Sequence, residues 1–213
     1  MSDLNEHLIN AYKQVRDNPR DILRYLQKWE NTEEKYYEIR ASVFKNQIKQ
    51  AARFIYLNQY SFNGIYRENR SGKYNVPYGK RKDFIINFLN IFKVSRVLQD
   101  TEIFFGDFTA NEANINKNDL VFLDPPYSLS QTEDGFVKYN KDVFSIADQY
   151  KLADFIDAIR NKGAKYILTN ANHPKIIEIF DNGDNLLNLS RNSTIGGISS
   201  SRGIYKEIIL TNC

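Results

Sequence analysis

Residues 119–127 read Asp-Leu-Val-Phe-Leu-Asp-Pro-Pro-Tyr and end on groups that could act together. Asp124 offers a carboxylate. Pro125 has no N–H of its own and holds a rigidly aimed carbonyl beside it. Two acceptors held close together suit an NH2 group, which has two hydrogens to give. Accepting from both would draw a conjugated amine toward a tetrahedral nitrogen and free its lone pair for attack. Tyr127 adds an aromatic face on which a planar base could stack. The same four residues also suit a tight Asp-Pro-Pro turn with Tyr127 as a surface anchor.

Such groups need a strand to aim them. The apolar run Leu120 to Leu123 predicts a strand buried on both faces of an α/β sheet, and Pro125 and Pro126 must end it. Asp124 and Tyr127 then fall just past the carboxyl end of a strand, where open α/β sheets place their ligands. Beyond residue 100 the pattern alternates, with strands predicted at 101–105, 119–123, 165–169, 185–189 and 204–211. A helix carrying Leu152, Phe155, Ile156 and Ile159 ends at Gly163, and another spans 174–180. The sum is a half-parallel α/β sheet. Before residue 100 the chain reads as helical. Leu8, Ile9, Tyr12 and Val15 share one face; Ile22, Leu23 and Leu26 follow after Pro19; Thr32 caps a helix with Tyr36, Tyr37 and Ile39. Ile48, Ala51, Ala52, Ile55 and Tyr56 mark a fourth helix, and Phe84, Phe88, Ile91 and Phe92 a fifth. Between them, 61–79 breaks the period into a loop and a hairpin.

The 213 residues, 42% hydrophobic and 26% charged, suit a soluble globular domain, alone or with an insertion. No apolar run approaches the ~20 residues that span a bilayer, and the first residues carry no signal-peptide pattern. The one cysteine, Cys213, allows neither a disulfide framework nor a zinc cluster. These features point to a cytoplasmic, reducing setting, with no membrane and no metal. Residues 64–82 hold Arg67, Arg70, Lys73, Lys80, Arg81 and Lys82 against Glu68 alone, a local excess of five positive charges where the whole chain has +3. A basic segment rich in Gly, Asn and aromatics suits a polyanion; a plain solvated loop reads the same way.

Taken in order, these stretches resemble the Dam-type DNA adenine-N6 methyltransferases of the D12 class, the family of the bacterial GATC methylases. Asp3-Leu4-Asn5 with Leu8-Ile9 and Tyr12 resembles the acidic segment that holds the cofactor's ribose. Phe62-Asn63-Gly64-Ile65-Tyr66-Arg67 and Asn75-Val76-Pro77-Tyr78-Gly79-Lys80 resemble the DNA-reading loop and hairpin. Gly106-Asp107-Phe108 resembles the segment at the cofactor's adenine, and Asp124-Pro125-Pro126-Tyr127 the catalytic signature. Ser199-Ser200-Ser201-Arg202-Gly203 with Lys206-Glu207 resembles the closing hairpin.

The resemblance implies a Rossmann-like methyltransferase sheet, 1–18 with 99–213, interrupted by a mostly helical target-recognition subdomain at 19–98. It implies S-adenosylmethionine as cofactor, double-stranded DNA as partner, and methyl transfer to a flipped adenine in GATC or a related site. Asp124 and the Pro125 carbonyl would hold the adenine amine, with Pro126 fixing the loop and Tyr127 stacking on the base. Asp3, Asp107, Phe108 and Asp124 would line the cofactor. On the DNA, Arg67 would read a guanine edge and Phe62 would wedge beside the extruded adenine, while Asn63, Pro77, Lys80 and Arg202 complete the contact. Lys80 stands where several members have Arg, which gives up bidentate geometry. The chain departs from the family at its start: Met1-Ser2-Asp3 matches the end of the family's second strand, so the first strand–helix–strand, with its Phe-x-Gly-x-Gly loop, is expected to be absent. In the family's sheet those strands separate 101–105 from 119–123. At ~4.8 Å per strand their loss opens a gap of about 14 Å and leaves Val121-Phe122-Leu123 on a naked edge. A separate N-terminal fragment or second chain would then complete the enzyme. The alternatives are a non-catalytic DNA-binding remnant or one piece of a split methyltransferase.

Overall fold

The computed structural model describes residues 1–69, 71–80, 86–127, 144–192 and 204–213. It divides into two units, Met1–Phe108 and Thr109–Cys213.

In the first unit the helical spacing of apolar residues is realised as α1 (Glu6–Asp17), α2 (Pro19–Lys28), α3 (Glu33–Ala41), α4 (Gln47–Tyr60) and α5 (Phe88–Leu98). Each start has a local cause. Asn5, Thr32, Asn46 and Asn87 cap α1, α3, α4 and α5 by accepting a main-chain N–H, and Pro19 opens α2. Helix α4 is the centre: α1, α2 and α3 all pack on it, burying Ile22, Leu26, Ile39, Ala51, Ala52 and Leu57. Tyrosines fill much of this core. Tyr36 and Tyr56 are fully buried, with Tyr60 stacked edge-on against Tyr56 at 4.8 Å between ring centres. Their hydroxyls find main-chain acceptors, Tyr36 on the Val76 carbonyl at 3.0 Å and Tyr56 on that of Glu30 at 2.7 Å, as buried phenols must. Two short strands complete the unit. β1 (Ser2–Asp3) pairs in parallel with β2 (Phe104–Phe105), so the strand expected at 101–105 is confined to its last two residues. By contact α1 groups with the helical core, since it packs on α4 and α5.

The second unit is a mixed sheet of β3 (Leu120–Leu123), β4 (Lys165–Ala171), β5 (Asn185–Asn192) and β6 (Ile204–Thr211), in the order β3-β4-β6-β5. Helices α6 (Ile146–Asn161) and α7 (Pro174–Phe180) fall where the apolar spacing puts them. A reciprocal capping box between Ser145 and Asp148 opens α6, and the Gly163 N–H returns to the Arg160 carbonyl at 2.9 Å behind it. β3 pairs with β4 in parallel, and β6 lies antiparallel between β4 and β5, so β3, β4 and β5 share a direction that β6 opposes. The half-parallel sheet expected from the alternation of elements is thus found as a mixed sheet. Tyr166, Leu168, Asn170, Ile208 and Leu210 are buried on one face with Leu152, Ile156, Ile159 and Ile176 of the helices.

The expectation that β3 is buried on both faces is overturned. Leu120 is 60% and Phe122 63% exposed, while Leu123 is buried. The helices explain it: Gln149 of α6 bonds the Asn170 side chain at 3.0 Å, so α6 lies on the Tyr166–Leu168–Asn170 side. Phe122 and its register partner Ile167 point the other way. Among the described residues β3 is also an edge strand.

Candidate active site and nucleic-acid interface

The register of β3 on β4 builds the first constellation. Leu123 pairs with Leu168, so Asp124, just past the end of β3, comes beside Thr169, near the end of β4. The Thr169 hydroxyl donates to Asp124 Oδ1 at 2.6 Å, a charge-assisted hydrogen bond. Asp124 and Pro126 are exposed, while Pro125 and Tyr127 are half-buried. One step further on, Asn170 is fully buried, its side chain donating to Gln149 and accepting from the Ala171 N–H at 2.9 Å. The end of β4 is thus pinned from the helix side, and Thr169 is held as a fixed donor. One oxygen of this exposed carboxylate is engaged by a hydroxyl, the other keeps acceptor capacity, and the next residue, Pro125, brings a carbonyl and no N–H. That pair can accept two N–H bonds from one amine.

A second constellation, with two acids, forms in the first unit. Parallel pairing matches Asp3 with Phe105, and the Gly106 N–H donates to the Asp3 carbonyl at 3.1 Å. Asp3 and Asp107 therefore leave the same end of the β1–β2 ladder, with Phe108 next in chain. Asp3 Oδ1 accepts from the Asn5 N–H at 2.7 Å, which orients the carboxylate and leaves acceptor capacity for hydroxyl groups. Gly106 sits at φ 150, and a Cβ there would meet nothing within 4 Å; only glycine adopts this backbone comfortably, and space lies open beside the two acids. Carboxylates are the acceptors that the ribose hydroxyls and exocyclic amine of an adenosyl group would need.

The third constellation is the hairpin of residues 65–80. Tyr74, Val76 and Tyr78 alternate inward and are buried, which turns Asn75 and Pro77 outward. The inward set is locked: the Tyr74 hydroxyl donates to the Ile65 carbonyl at 2.9 Å and Tyr78 to Asn31 Oδ1 at 2.8 Å. Arg40 Nη1 joins Tyr36 on the Val76 carbonyl at 3.1 Å, and Arg53 holds the carbonyls of Ile39 and Arg40 at 2.9 and 2.7 Å. Burial lowers the Arg53 pKa. It also raises the Tyr66 hydroxyl well above the ordinary phenol range, helped by the Glu68 carboxylate it bonds. The tip turns on Asn69, whose Oδ1 accepts from the Ser71 N–H, the Ser71 hydroxyl and the Lys73 N–H. On this frame Phe62, Asn63, Arg67, Pro77 and Lys80 are all exposed, and the Phe62 N–H donates to the Pro77 carbonyl at 2.9 Å. Asn63 and Lys80 both stand at φ 55.

The structure brings Arg67, Pro77 and Lys80 onto one hairpin, with Phe62 and Asn63 on the turn bonded to it, and Asp3 with Asp107 onto one strand end. Asp124 and its loop belong to the second unit. Arg202 and the Ser199–Gly203 motif lie outside the described residues, as do Arg70, Arg81 and Lys82. Thr169 escaped sequence reasoning, and Asn75 entered it only as part of the Asn75–Lys80 stretch, with no role of its own. Their signals were a hydroxyl closing the apolar run Tyr166-Ile167-Leu168, and the polar out-positions of Tyr-Asn-Val-Pro-Tyr.

Mixed-sheet order, an acid–proline–proline–tyrosine loop at a strand's carboxyl end and a basic hairpin on a helical unit define an α/β protein with features suited to a polyanion and a planar amine. The chain belongs to the D12 class N6 adenine-specific DNA methyltransferases, whose family model matches residues 1–195. It is 35% identical to the type II methyltransferase M1.LlaDCHI of Lactococcus lactis subsp. cremoris, across 100% of this chain and 78% of that protein. It is 31% identical to the type II methyltransferase M.MjaIII of Methanocaldococcus jannaschii, across 99% and 78%. The DNA N-6-adenine-methyltransferase of Escherichia phage P1 is 29% identical across 98% of this chain and 29% of its own length. No helix among the described residues is long and apolar enough to cross a membrane.

Proposed function

We propose that the chain is a site-specific DNA adenine-N6 methyltransferase acting on an adenine flipped out of a GATC or related site. The observation that carries this is the Asp124 carboxylate, held by the Thr169 hydroxyl at 2.6 Å at the end of β3, where Pro125, Pro126 and Tyr127 follow it in the chain. Asp124 and that carbonyl accept the two hydrogens of the adenine amine and draw its nitrogen out of conjugation. Pro126 fixes the loop, and Tyr127 stacks on the base. Asp3, Asp107 and Phe108 hold the adenosyl part of S-adenosylmethionine, with Asp124 bordering it. When bound, that group supplies an activated methyl. Phe62 takes the place of the extruded base, Arg67 reads a guanine edge, and Asn63, Pro77, Lys80 and Arg202 complete the duplex contact. In this reading 1–18 and 99–213 form the Rossmann-like catalytic domain, 19–98 the recognition subdomain, and the cytoplasm is the working compartment. Asp124→Ala tests it: transfer to adenine should fall by far more than tenfold while cofactor affinity stays within about twofold. A variant keeping over a tenth of the rate, a loss below ~1.4 kcal/mol, removes Asp124 from this role.

A second reading, that the chain is one piece of a methyltransferase completed by further polypeptide on β3, is favoured by the exposure of Leu120 and Phe122 on an edge strand. The 213-residue chain alone should then bind S-adenosylmethionine weakly. Calorimetry giving a micromolar Kd for it would rule this second reading out.

A further inference from the structure

Arg67 and Asn75 face each other across the hairpin, and their contact decides which edge of the guanidinium can meet a base. The Asn75 N–H donates to the Arg67 carbonyl at 3.1 Å, and Arg67 Nε donates to Asn75 Oδ1 at 2.8 Å. A guanidinium offers only donors, so the amide must turn its oxygen toward Arg67, and the amide orientation follows from the chemistry. The two partners differ in freedom. Arg67 is exposed on a long side chain. Asn75 lies between buried Tyr74 and Val76, whose hydroxyl and carbonyl are bonded to Ile65, Tyr36 and Arg40. The main chain that carries Asn75 is therefore fixed, and its short side chain has fewer torsions than that of Arg67, so Arg67 is the partner that settles on the other.

We propose that Asn75 is a positioning residue for sequence recognition. It fixes the guanidinium plane of Arg67 so that Nη1 and Nη2 are presented end-on to the two acceptors of a guanine edge. The inference rests on the proposed reading of Arg67 as the base reader. With Nε engaged by Asn75, the side edge of the guanidinium is half used, and the terminal pair remains for bidentate contact. Without the amide, the guanidinium rotates about its last torsions and trades a base contact for a phosphate. It then still binds DNA but no longer discriminates.

Binding titrations of the 213-residue protein decide it, using one duplex with GATC and one in which 7-deazaguanine replaces the guanine, removing one of its two acceptors. The parent should prefer the natural duplex by about fivefold or more. Asn75→Ala should bring that ratio below about twofold while affinity for the modified duplex changes little. Asn75→Asp keeps an acceptor for Nε and should retain the preference, weakening both duplexes alike through its added negative charge. In an Arg67→Ala background, Asn75→Ala should change the ratio no further, the sign of a coupled pair. An Asn75→Ala protein that keeps the parent's ratio, or an Asn75→Asp protein that loses it as fully as the alanine variant, overturns the positioning role. A parent without preference, or a preference that survives Arg67→Ala, instead overturns the reading of Arg67 and the inference with it. Equal melting temperatures for the parent and Asn75→Ala would separate lost orientation from a lost hairpin.

Discussion

A carboxylate that must receive an amine gains from having its other oxygen engaged, because the side chain then has one orientation to offer. Thr169 does this for Asp124 at 2.6 Å. Thr169→Val preserves the β-branched shape and removes the donor. A hydrogen bond to a charged group contributes ~1.5–3 kcal/mol, so the single-turnover rate of methyl transfer should fall at least about tenfold, with Thr169→Ser close to the parent. Equal rates for the valine and parent proteins would show that Asp124 is oriented without the hydroxyl. Among the cations, Arg67 and Lys73 should separate by role. Arg67→Ala should flatten the preference for a guanine-containing site. Lys73→Ala, exposed at the hairpin tip, should weaken all duplexes alike and lower the salt slope by about one unit. Titrations at two salt concentrations distinguish them.

At the scale of the element, the hairpin depends on close approach of main chains. The Gly79 N–H donates to the Tyr60 carbonyl at 2.8 Å, and a Cβ at Gly79 would lie 2.5 Å from the Ser61 carbonyl oxygen and 2.9 Å from its carbon. Both obstacles are backbone at the end of α4, so neither can rotate away. Gly79→Ala should destabilise the first unit by ~1–3 kcal/mol and move Pro77 and Lys80 off the frame that carries Phe62. Denaturant unfolding with a duplex-binding titration measures both effects. Full stability with unchanged DNA affinity would mean that the turn relaxes freely. Helix caps are gentler: Thr32 accepts from the Lys35 N–H at 3.2 Å, and Thr32→Ala should cost about 1 kcal/mol without touching sequence preference.

The whole molecule is tyrosine-rich, with 14 tyrosines, and several are buried. Burial pushes the hydroxyls of Tyr36, Tyr56 and Tyr66 well above the usual phenol range, and that of Tyr166 up to about 12. Tyr166, in the second unit, donates to Asp184 at 2.8 Å, and Arg160 pairs with the same carboxylate. In the unfolded chain these groups titrate near ~10. Folded pKa values raised above that mean the unfolded state releases protons first, so stability is fully present below about pH 10 and is lost as pH climbs toward and past 12. Denaturation midpoints should therefore be level from pH 8 to about 9.5 and fall steeply above. A midpoint still level at pH 11 would show that the phenols titrate normally in the fold.

The chain's periodicities were enough to locate most elements, since helix spacing, caps such as Thr32 and the stop at Pro125 act locally and leave their marks in neighbouring residues. They also singled out the Asp124–Tyr127 loop, because two prolines after an apolar run can only end a strand. What local pattern cannot report is which strands meet and in what register. The apolar Leu120–Leu123 read as buried on both faces, yet α6 lies on one side of the sheet and Leu120 and Phe122 stay exposed. Thr169 is 45 residues from Asp124 and becomes its partner only because Leu123 pairs with Leu168. Asn75 meets Arg67 only once alternate residues of the hairpin have turned inward. Residue types thus determined the chemistry that could occur, and strand register, which sums many weak contacts between segments far apart in the chain, decided which groups stand together to perform it.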